Sequence, residues 1–183
     1  MPPSVSVVMP VRNAMPYLRS AIESVLAQSF RDFELVIGDD CSADGSLDCA
    51  SSLAQCDPRI RVVQSRVRLG PVGSSNFVAN EARAPLVARM DADDISHPRR
   101  LERELKALAA HPRAVLVGAL FDVIDGAGRV CSISPSMARR GARVRVAWRN
   151  WRLRHKVPAG HLFRWVAGRP SIDLGHLEQT RAE

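Results

Sequence analysis

Short apolar runs that alternate with helical periodicities are the feature of this sequence that most constrains its fold. The runs are rich in β-branched residues and about one strand long, and they occupy residues 4–11, 33–40, 59–64, 85–91 and 114–123. Because the runs are largely continuous in their apolar character, we expect strands that are covered on both faces. The alternation predicts an α/β fold, in which a doubly wound, mainly parallel sheet carries helices on both faces.

Four helices are predicted between and after these runs. Apolar residues recur at helical spacing over residues 18–26, 47–54 and 101–108, and a further helix is expected over residues 74–83. Ser96 is expected to cap the N-terminus of the last of these helices, and Pro98 is expected to lie in its first turn.

The positive charge of the chain is concentrated in one segment. The formal net charge is +7, yet residues 126–172 contain 11 Lys and Arg residues and no acid at all. Such a segment predicts peripheral binding to an anionic membrane surface, with Trp148 and Trp151 at the level of the lipid headgroups. An ordinary solvated surface is the alternative. Nucleic acid is a less favoured partner, because the segment matches no nucleic-acid-reading motif.

The sequence also predicts a cytoplasmic protein, with the peripheral site at the inner face of the membrane. It has no apolar run of about 18 residues and no basic, apolar leader at its N-terminus. The four cysteines have neither CxxC pairing nor zinc-site spacing, which favours reduced thiols.

Carboxylates follow two of the predicted strands at the point where each strand ends. Asp39 and Asp40 end the second strand, and Asp91, Asp93 and Asp94 end the fourth. In an open parallel sheet, ligands bind beyond the carboxyl ends of the strands, where the strand order reverses. If the first strand is central, its end lies beside both groups, so the sequence predicts one crevice lined by these aspartates.

The residue types in this crevice favour a nucleotide and a divalent metal. Asp40 can accept hydrogen bonds from a ribose hydroxyl or a base N–H. The segment PVRNAMP after the first strand lacks a glycine-rich loop, so something other than a helix N-terminus must neutralise a pyrophosphate. Oxygen ligands such as Asp93 and Asp94 suit Mg²⁺ or Mn²⁺. The alternative is a solvated acidic turn before a helix, which explains one aspartate but not three.

Three stretches, in order, resemble family 2 glycosyltransferases with the GT-A fold. They are SVVMPVRNAMPYLRSAIESVLAQSFRDFELVIGDDCSADGS, LGPVGSSNFVANEARAPLVARMDADDISHPRRLERELKAL and HPRAVLVGALFDVIDGAGRV. The second contains the Asp-x-Asp motif typical of that family. The resemblance covers roughly residues 4–130, so residues 1–130 are expected to form a donor-binding core. Residues 131–183 then form a basic acceptor-side region that is incomplete or divergent.

The resemblance implies a role for each residue of the crevice. Asp40 is similar to the residue that reads the donor base, with Asp39 in support, and Asp91 is similar to the one that contacts the ribose. The nucleotide-binding set is Pro10, Arg12, Asp39, Asp40 and Asp91, and the metal-binding pair is Asp93 and Asp94. Arg12 stands where the family commonly has an aromatic residue. An arginine plane can also stack on a base, but an exposed loop arginine is the alternative.

The resemblance also implies a catalytic carboxylate in the C-terminal half of the chain. The family usually carries an acidic pair before a DLG-like segment, and here Pro170 and Ser171 occupy those positions, which leaves Asp173 as the nearby candidate. His161 and His176 are more typical of structural histidines.

The implied function is inverting transfer of a sugar from a nucleotide-diphosphate donor, such as a UDP-sugar, to a hydroxyl acceptor. The acceptor is expected to be lipid-linked or a polysaccharide, in cell-envelope or polysaccharide synthesis. The alternative is a catalytically incomplete donor-binding remnant without turnover. A sugar-1-phosphate nucleotidyltransferase would need a glycine-rich N-terminal loop, and a phosphatase of the Asp-x-Asp type would carry its motif after the first strand.

Overall fold

Alternating strands and helices build the computed structural model, which describes residues 2–119, 121–133 and 161–164. The elements, in chain order, are β1 (Val5–Val11), α1 (Leu18–Leu26), β2 (Phe33–Asp39), α2 (Ser46–Cys56), β3 (Ile60–Gln64), α3 (Gly70–Asn80), β4 (Leu86–Arg89), α4 (Arg100–Ala110), β5 (Leu116–Gly118), β6 (Asp122–Ile124), β7 (Val130–Ile133) and β8 (His161–Arg164).

Six of the strands form one sheet in the order β3-β2-β1-β4-β8-β5. The first four run parallel, and β8 is antiparallel to both β4 and β5. β1 therefore pairs with β2 on one side and with β4 on the other, which brings the carboxyl ends of these three strands to one edge. The predicted α/β class and the mainly parallel, doubly wound sheet are confirmed.

The two faces of the sheet bury different helices. Val5, Val7 and Met9 of β1 belong to a large apolar cluster that also contains buried residues of α1, α2 and α4. Val8 points to the opposite face, where it joins a smaller cluster with Val78 of α3. This alternation along one strand follows from the two-residue period of β structure. Helices therefore cover both faces, as predicted.

Gly38 lets α3 pack closely against the sheet. A Cβ atom at this position of β2 would lie 2.8 Å from the Cβ of Val78, closer than two carbon atoms can approach. A glycine in the middle of a strand usually weakens it, but here it permits the close approach of another backbone. The position of α3, which borders the crevice described below, thus depends on this missing side chain.

The structure corrects two predicted elements. The apolar run 114–123 is not one strand: β5 ends at Gly118, and β6 begins at Asp122 and pairs with β7 in a separate hairpin. The third helix begins at Gly70 rather than at residue 74, with a proline in its first turn.

The start of the fourth helix is a further correction. α4 begins at Arg100, so Ser96 does not cap it, and Pro98 precedes the helix rather than lying in its first turn. The residue before a proline is disfavoured in the helical conformation, which keeps His97 outside α4.

A buried ion pair fixes α4 to the end of β4. The side chains of Arg100 and Glu104 are 7% and 1% exposed, and their Nε and Oε1 atoms are 3.1 Å apart. Arg100 Nη2 also donates a hydrogen bond of 2.9 Å to the backbone oxygen of Arg89, the last residue of β4. Burial raises the pKa of Glu104 to about 7, although the charge of Arg100 and its hydrogen bond act in the opposite direction.

This raised pKa makes the stability of the fold depend on pH. The pKa of Glu104 rises from 4.5 to about 7 in the folded protein, so the folded state binds the proton more tightly than the unfolded state. The contribution of Glu104 to stability is therefore greatest at low pH and declines as the pH rises through this window. In Glu104→Gln this titration is absent. Urea unfolding should show that the stability of the wild type falls, relative to this variant, by about 1–3 kcal/mol between about pH 4.5 and 7. Parallel pH profiles for the two proteins would contradict the prediction.

Candidate functional site

A cavity of about 220 Å³ lies at the edge of the sheet where β1, β2 and β4 end. We call it the edge pocket. Its lining residues come from the ends of these strands, from the turn before α3 and from α3 itself, and they are Pro10, Val11, Arg12, Asp40, Arg68, Gly70, Pro71, Ser74, Arg89 and Asp91. Four of the residues expected to bind a nucleotide, Pro10, Arg12, Asp40 and Asp91, therefore line one pocket.

A larger cavity, of about 360 Å³, lies at the opposite edge of the sheet. Its arginines are largely engaged by acids: Arg61 pairs with both Glu34 and Glu81, and Arg59 pairs with Asp57. These ion pairs connect residues at the starts of β2 and β3 with each other and with the residues that follow α2 and α3. The edge pocket, where ligand-binding groups from separate elements converge, is the better candidate for a functional site.

Asp40 closes one wall of the edge pocket by holding the start of α3. It is 2% exposed. Its Oδ1 accepts a hydrogen bond of 2.6 Å from the backbone N–H of Leu69, and its Oδ2 accepts one of 3.0 Å from that of Gly70. α3 has no side-chain cap from its own N-cap residue, so Asp40 satisfies amides that a helix start leaves unpaired. Each carboxylate oxygen retains capacity for a further hydrogen bond.

Arg12 lies across the end of β2. Its Nη1 donates to the backbone oxygens of Asp40, at 2.9 Å, and of Cys41, at 3.4 Å. The residue is exposed and lines the edge pocket. The guanidinium thus remains beside the pocket, with further N–H donors directed away from these two carbonyls.

The turns that follow β1 and β2 are tied together. Asn13 and Cys41 both adopt positive φ, at 48° and 57°, a region that costs about 1–3 kcal/mol for a residue other than glycine. Hydrogen bonds compensate: Asn13 Oδ1 accepts from the N–H of Ala43 at 2.9 Å, and the N–H of Asn13 donates to Ser42 Oγ at 3.0 Å.

Asp39 lies beneath the pocket rather than in its wall. It is 1% exposed, and its Oδ2 accepts a hydrogen bond of 3.2 Å from the N–H of Ser42. Its Oδ1 is buried and has no hydrogen-bond partner among the residues that the structure describes. The structure therefore places Asp39 where it supports the turn that carries Asp40.

The aspartates after β4 occupy different environments. Asp91 lines the edge pocket and forms an ion pair of 2.6 Å with Arg89. Asp93 and Asp94 are exposed and do not line it. Although the Asp94 residue is exposed as a whole, its pKa is raised, chiefly because surrounding protein desolvates the carboxyl group and disfavours its charged form, and next because of the negative charges of Asp91 and Asp93.

These aspartates have the right chemistry for a divalent cation, although they are not assembled as a complete metal site. Within residues 2–119, 121–133 and 161–164, no group of three or more His, Cys, Asp or Glu side chains is placed to hold a metal ion. However, Asp93 and Asp94 offer oxygen ligands on one short turn. After desolvation, repulsion from Asp91 and Asp93 is the next cause of the raised pKa of Asp94, and a cation would relieve that repulsion. The residues present fit Mg²⁺ or Mn²⁺ supplied together with a phosphate-bearing ligand.

Sequence reasoning missed two arginines of the edge pocket. Arg89 is a charged residue in an otherwise apolar strand, two positions before Asp91, and the two-residue period of a strand puts both on one side. That pattern could have identified it. Arg68 lies in the turn before α3, and no periodicity marks that position. Together with Arg12 they give the pocket three guanidinium groups against the two carboxylates of Asp40 and Asp91.

Other predicted residues cannot be placed. Asp173, Trp148 and Trp151 lie outside the described residues, as does most of the basic segment. For His161 the structure gives the backbone position in β8, in register with Gly118.

Comparisons with known proteins agree with this architecture. The putative glycosyltransferase EpsE of Bacillus subtilis is 37% identical over 141 residues, which are 76% of this chain and 51% of that protein. The succinoglycan biosynthesis protein ExoO of Rhizobium meliloti is 35% identical over 127 residues, which are 69% of this chain and 36% of ExoO. The chain thus spans about half, or less, of the length of these relatives.

A solved structure shares the fold at low sequence identity. Staphylococcus aureus TarS 1-349, in complex with UDP-GlcNAc, superposes with a TM-score of 0.64 at 21% identity, over 90% of this chain and 45% of that chain. Residues 6–165 match the family model described as Glycosyl transferase family 2. On the breadth of that match and the identity to its relatives, this chain belongs to glycosyltransferase family 2.

Proposed function

We propose that the edge pocket binds a nucleotide-diphosphate sugar and that the whole protein transfers the sugar to a hydroxyl acceptor with inversion. The observation that carries this proposal is the convergence of Pro10, Arg12, Asp40 and Asp91, from the ends of three strands, on one pocket. The crevice beyond the carboxyl ends of such strands is where open α/β sheets bind ligands.

The donor is expected to lie across the pocket from base to diphosphate. The free lone pairs of Asp40 accept a base N–H, and the guanidinium of Arg12 stacks on the base. Asp91 contacts the ribose. Arg89 is paired with Asp91, but the three arginines of the pocket outnumber its two aspartates, and this net positive charge favours an anionic ligand. UDP-sugars are the proposed donors, because uracil offers both an N–H and flanking carbonyls.

Divalent metal binding is proposed for Asp93 and Asp94. A bound Mg²⁺ or Mn²⁺ would neutralise the charge that develops on the departing diphosphate. One fold relative at 24% identity and a TM-score of 0.56, the mannosyltransferase PcManGT from Pyrobaculum calidifontis, was solved in complex with GDP-Man and Mn²⁺. That observation concerns PcManGT, and it supports testing both nucleotide and metal here.

Transfer with inversion also requires a general base. A carboxylate must take the proton of the acceptor hydroxyl while its oxygen attacks the anomeric carbon and the nucleoside diphosphate leaves. Asp173, in the proposed acceptor-side region 131–183, is the candidate. If no residue of the protein fills this role, the donor-binding core of residues 1–130 is a remnant that binds without turnover, which is the second candidate function.

A polysaccharide or another cell-envelope molecule is the proposed acceptor. ExoO is named for succinoglycan biosynthesis, and a third relative, 36% identical over 104 residues, is a putative teichuronic acid biosynthesis glycosyltransferase, TuaG, of Bacillus subtilis. Both names refer to extended sugar polymers. The proposal assigns this chain to the same class of product.

Assembly of such polymers suggests a location at the membrane. In the part of the chain that the structure describes, no helix is long and apolar enough to cross a bilayer. We propose peripheral attachment at the inner face through the basic segment 126–172, whose 11 Lys and Arg residues are not offset by any acid.

The central test measures both binding and transfer. With Mn²⁺ present, a panel of nucleotide sugars should identify one donor that the protein hydrolyses slowly or transfers to an acceptor. The nucleoside diphosphate should bind much more tightly with Mn²⁺ than with a chelator. Asp93→Asn should lose this metal enhancement and still fold, because the side chain is exposed. Binding without turnover would favour the remnant. Metal enhancement that persists in Asp93→Asn would contradict the metal assignment.

Asp40→Ala is expected to weaken nucleoside diphosphate binding even when a chelator is present. The variant loses a charge-assisted hydrogen bond worth about 1.5–3 kcal/mol, or roughly 10- to 150-fold in Kd by calorimetry. Ser52→Ala is the matched control, because it removes a 2.8 Å hydrogen bond to the backbone oxygen of Asp48 in α2, and neither residue lines the edge pocket. The control should bind like the wild type, and equal affinities for all three proteins would refute the role of Asp40.

Membrane attachment is expected to be salt-sensitive. The protein should sediment with anionic vesicles at low ionic strength and much less at physiological ionic strength, because each arginine contributes about 1 kcal/mol near an anionic surface. Replacing Arg149, Arg152 and Arg154 with glutamine should reduce sedimentation and leave nucleotide binding unchanged. Equal binding to neutral and anionic vesicles would argue for an ordinary solvated segment.

A further inference from the structure

The chain between β4 and α4, residues 90–99, is anchored to the end of α1. We call it the acidic loop, because it carries Asp91, Asp93 and Asp94. Its second half is hydrogen-bonded at several points to residues near the end of α1. The N–H of Ser96 donates to Ser24 Oγ at 2.9 Å, and the N–H of Ser29 donates to the backbone oxygen of Pro98 at 2.7 Å. A helix that contributes nothing to the edge pocket thus holds the loop that does.

Gln28 is the centre of this anchor. The residue is 1% exposed. Its Nε2 donates to the backbone oxygen of His97 at 2.8 Å and to Ser96 Oγ at 3.1 Å, and its Oε1 accepts from the N–H of Leu101 at 3.0 Å. One side chain therefore binds both the acidic loop and the first turn of α4.

The contact with Leu101 supplies a missing helix cap. Arg99, the N-cap residue of α4, makes no capping hydrogen bond with its own side chain. Gln28 satisfies one of the amides that the helix start leaves unpaired, and it does so from another element of the fold. The Ser96 hydroxyl that the sequence suggested as the cap is instead a partner of Gln28.

The chemistry of a primary amide suits this position. Burying a polar group is costly unless its donors and acceptors are satisfied, and here both ends of the amide have partners. An apolar residue would pack at the end of α1 without gripping the loop. A carboxylate would lack the donors and would place another negative charge near three aspartates.

We infer that Gln28 is a positioning residue for the carboxylates of the acidic loop, an inference that rests on the proposed function of that loop in binding metal and diphosphate. The first half of the loop is fixed by the ion pair between Arg89 and Asp91 and by the bond from Arg100 to the Arg89 carbonyl. The second half is fixed by Gln28. Asp93 and Asp94 lie between the two anchors, so their separation from Asp91 depends on both.

Two variants separate the hydrogen bonds that Gln28 donates from the one that it accepts. Gln28→Met keeps the length of the side chain and removes every hydrogen bond. Gln28→Glu keeps an acceptor for the Leu101 amide but has no donor for Ser96 and His97. Ser24→Ala leaves Gln28 intact and removes the acceptor for the Ser96 amide, together with a 2.7 Å hydrogen bond that Ser24 Oγ donates to the backbone oxygen of Ala21 within α1. It serves if the Gln28 variants fold poorly. The control is Leu108→Ala, which destabilises α4 at its opposite end, where Leu108 is 3% exposed.

The first measurement is hydrogen exchange of the ligand-free protein. Amides of residues 91–99 should exchange faster in Gln28→Met and Gln28→Glu, by about 5-fold for one lost hydrogen bond, and not in Leu108→Ala. The second is a titration of UDP binding with Mn²⁺. The Mn²⁺ concentration for half-maximal enhancement should rise about 5- to 10-fold in both Gln28 variants, and in the same direction in Ser24→Ala.

A merely structural role would give a different pattern. Leu108→Ala should lower Tm and leave the Mn²⁺ dependence unchanged. Metal-free UDP affinity, which depends on Asp40 and on Asp91 as held by Arg89, should match the wild type in every variant. An unaltered Mn²⁺ dependence in folded Gln28→Met and Ser24→Ala would overturn the inference. If the wild type binds no nucleoside diphosphate, the proposed function fails. In that case the hydrogen-exchange experiment still tests whether Gln28 anchors the acidic loop. Unchanged exchange rates at residues 91–99 would refute this anchoring.

Discussion

Parallel pairing of β1 with a neighbour on each side is the interaction on which the rest of this structure depends. Val5 pairs with Phe33 of β2 and with Leu86 of β4, and the register continues without interruption toward the edge pocket. Because all three strands run the same way, the chain leaves each of them at the same edge. Arg12, Asp40 and the aspartates of the acidic loop all follow the ends of these strands.

The turns are held more by polar contacts than by packing. Asp40 accepts hydrogen bonds from the start of α3, and Arg12 donates to the carbonyls at the end of β2. Gln28 donates to the backbone of the acidic loop. Hydrogen bonds of this kind are directional, whereas apolar contacts tolerate small shifts. The sheet therefore sets which residues meet, and these polar side chains set how they are oriented.

The sequence predicted the first four strands and four of the residues that line the edge pocket, because both follow from local patterns. Apolar runs marked β1 to β4, and aspartates after β2 and β4 marked the edge at which the pocket lies. Long-range contacts were harder to foresee. The insertion of β8 between β4 and β5 joins residues more than 40 positions apart, and nothing local in the strand specifies its neighbour. The capping of α4 by Gln28 was missed for the same reason, since Ser96 offered a nearer candidate.

The two oxygens of Asp40 also link events that occur at different places in the pocket. These oxygens already accept hydrogen bonds from the amides of Leu69 and Gly70. A base that donates to Asp40 therefore shares this carboxylate with the backbone at the start of α3. If the remaining lone pairs suffice, ligand and backbone donate to the same carboxylate and both hold it in place. If they do not, the ligand must displace an amide. In both cases the free energy of base binding at Asp40 would be coupled to the order of the turn that carries Arg68. A change of base at Asp40 would then also change the shape of the pocket wall that faces the phosphates.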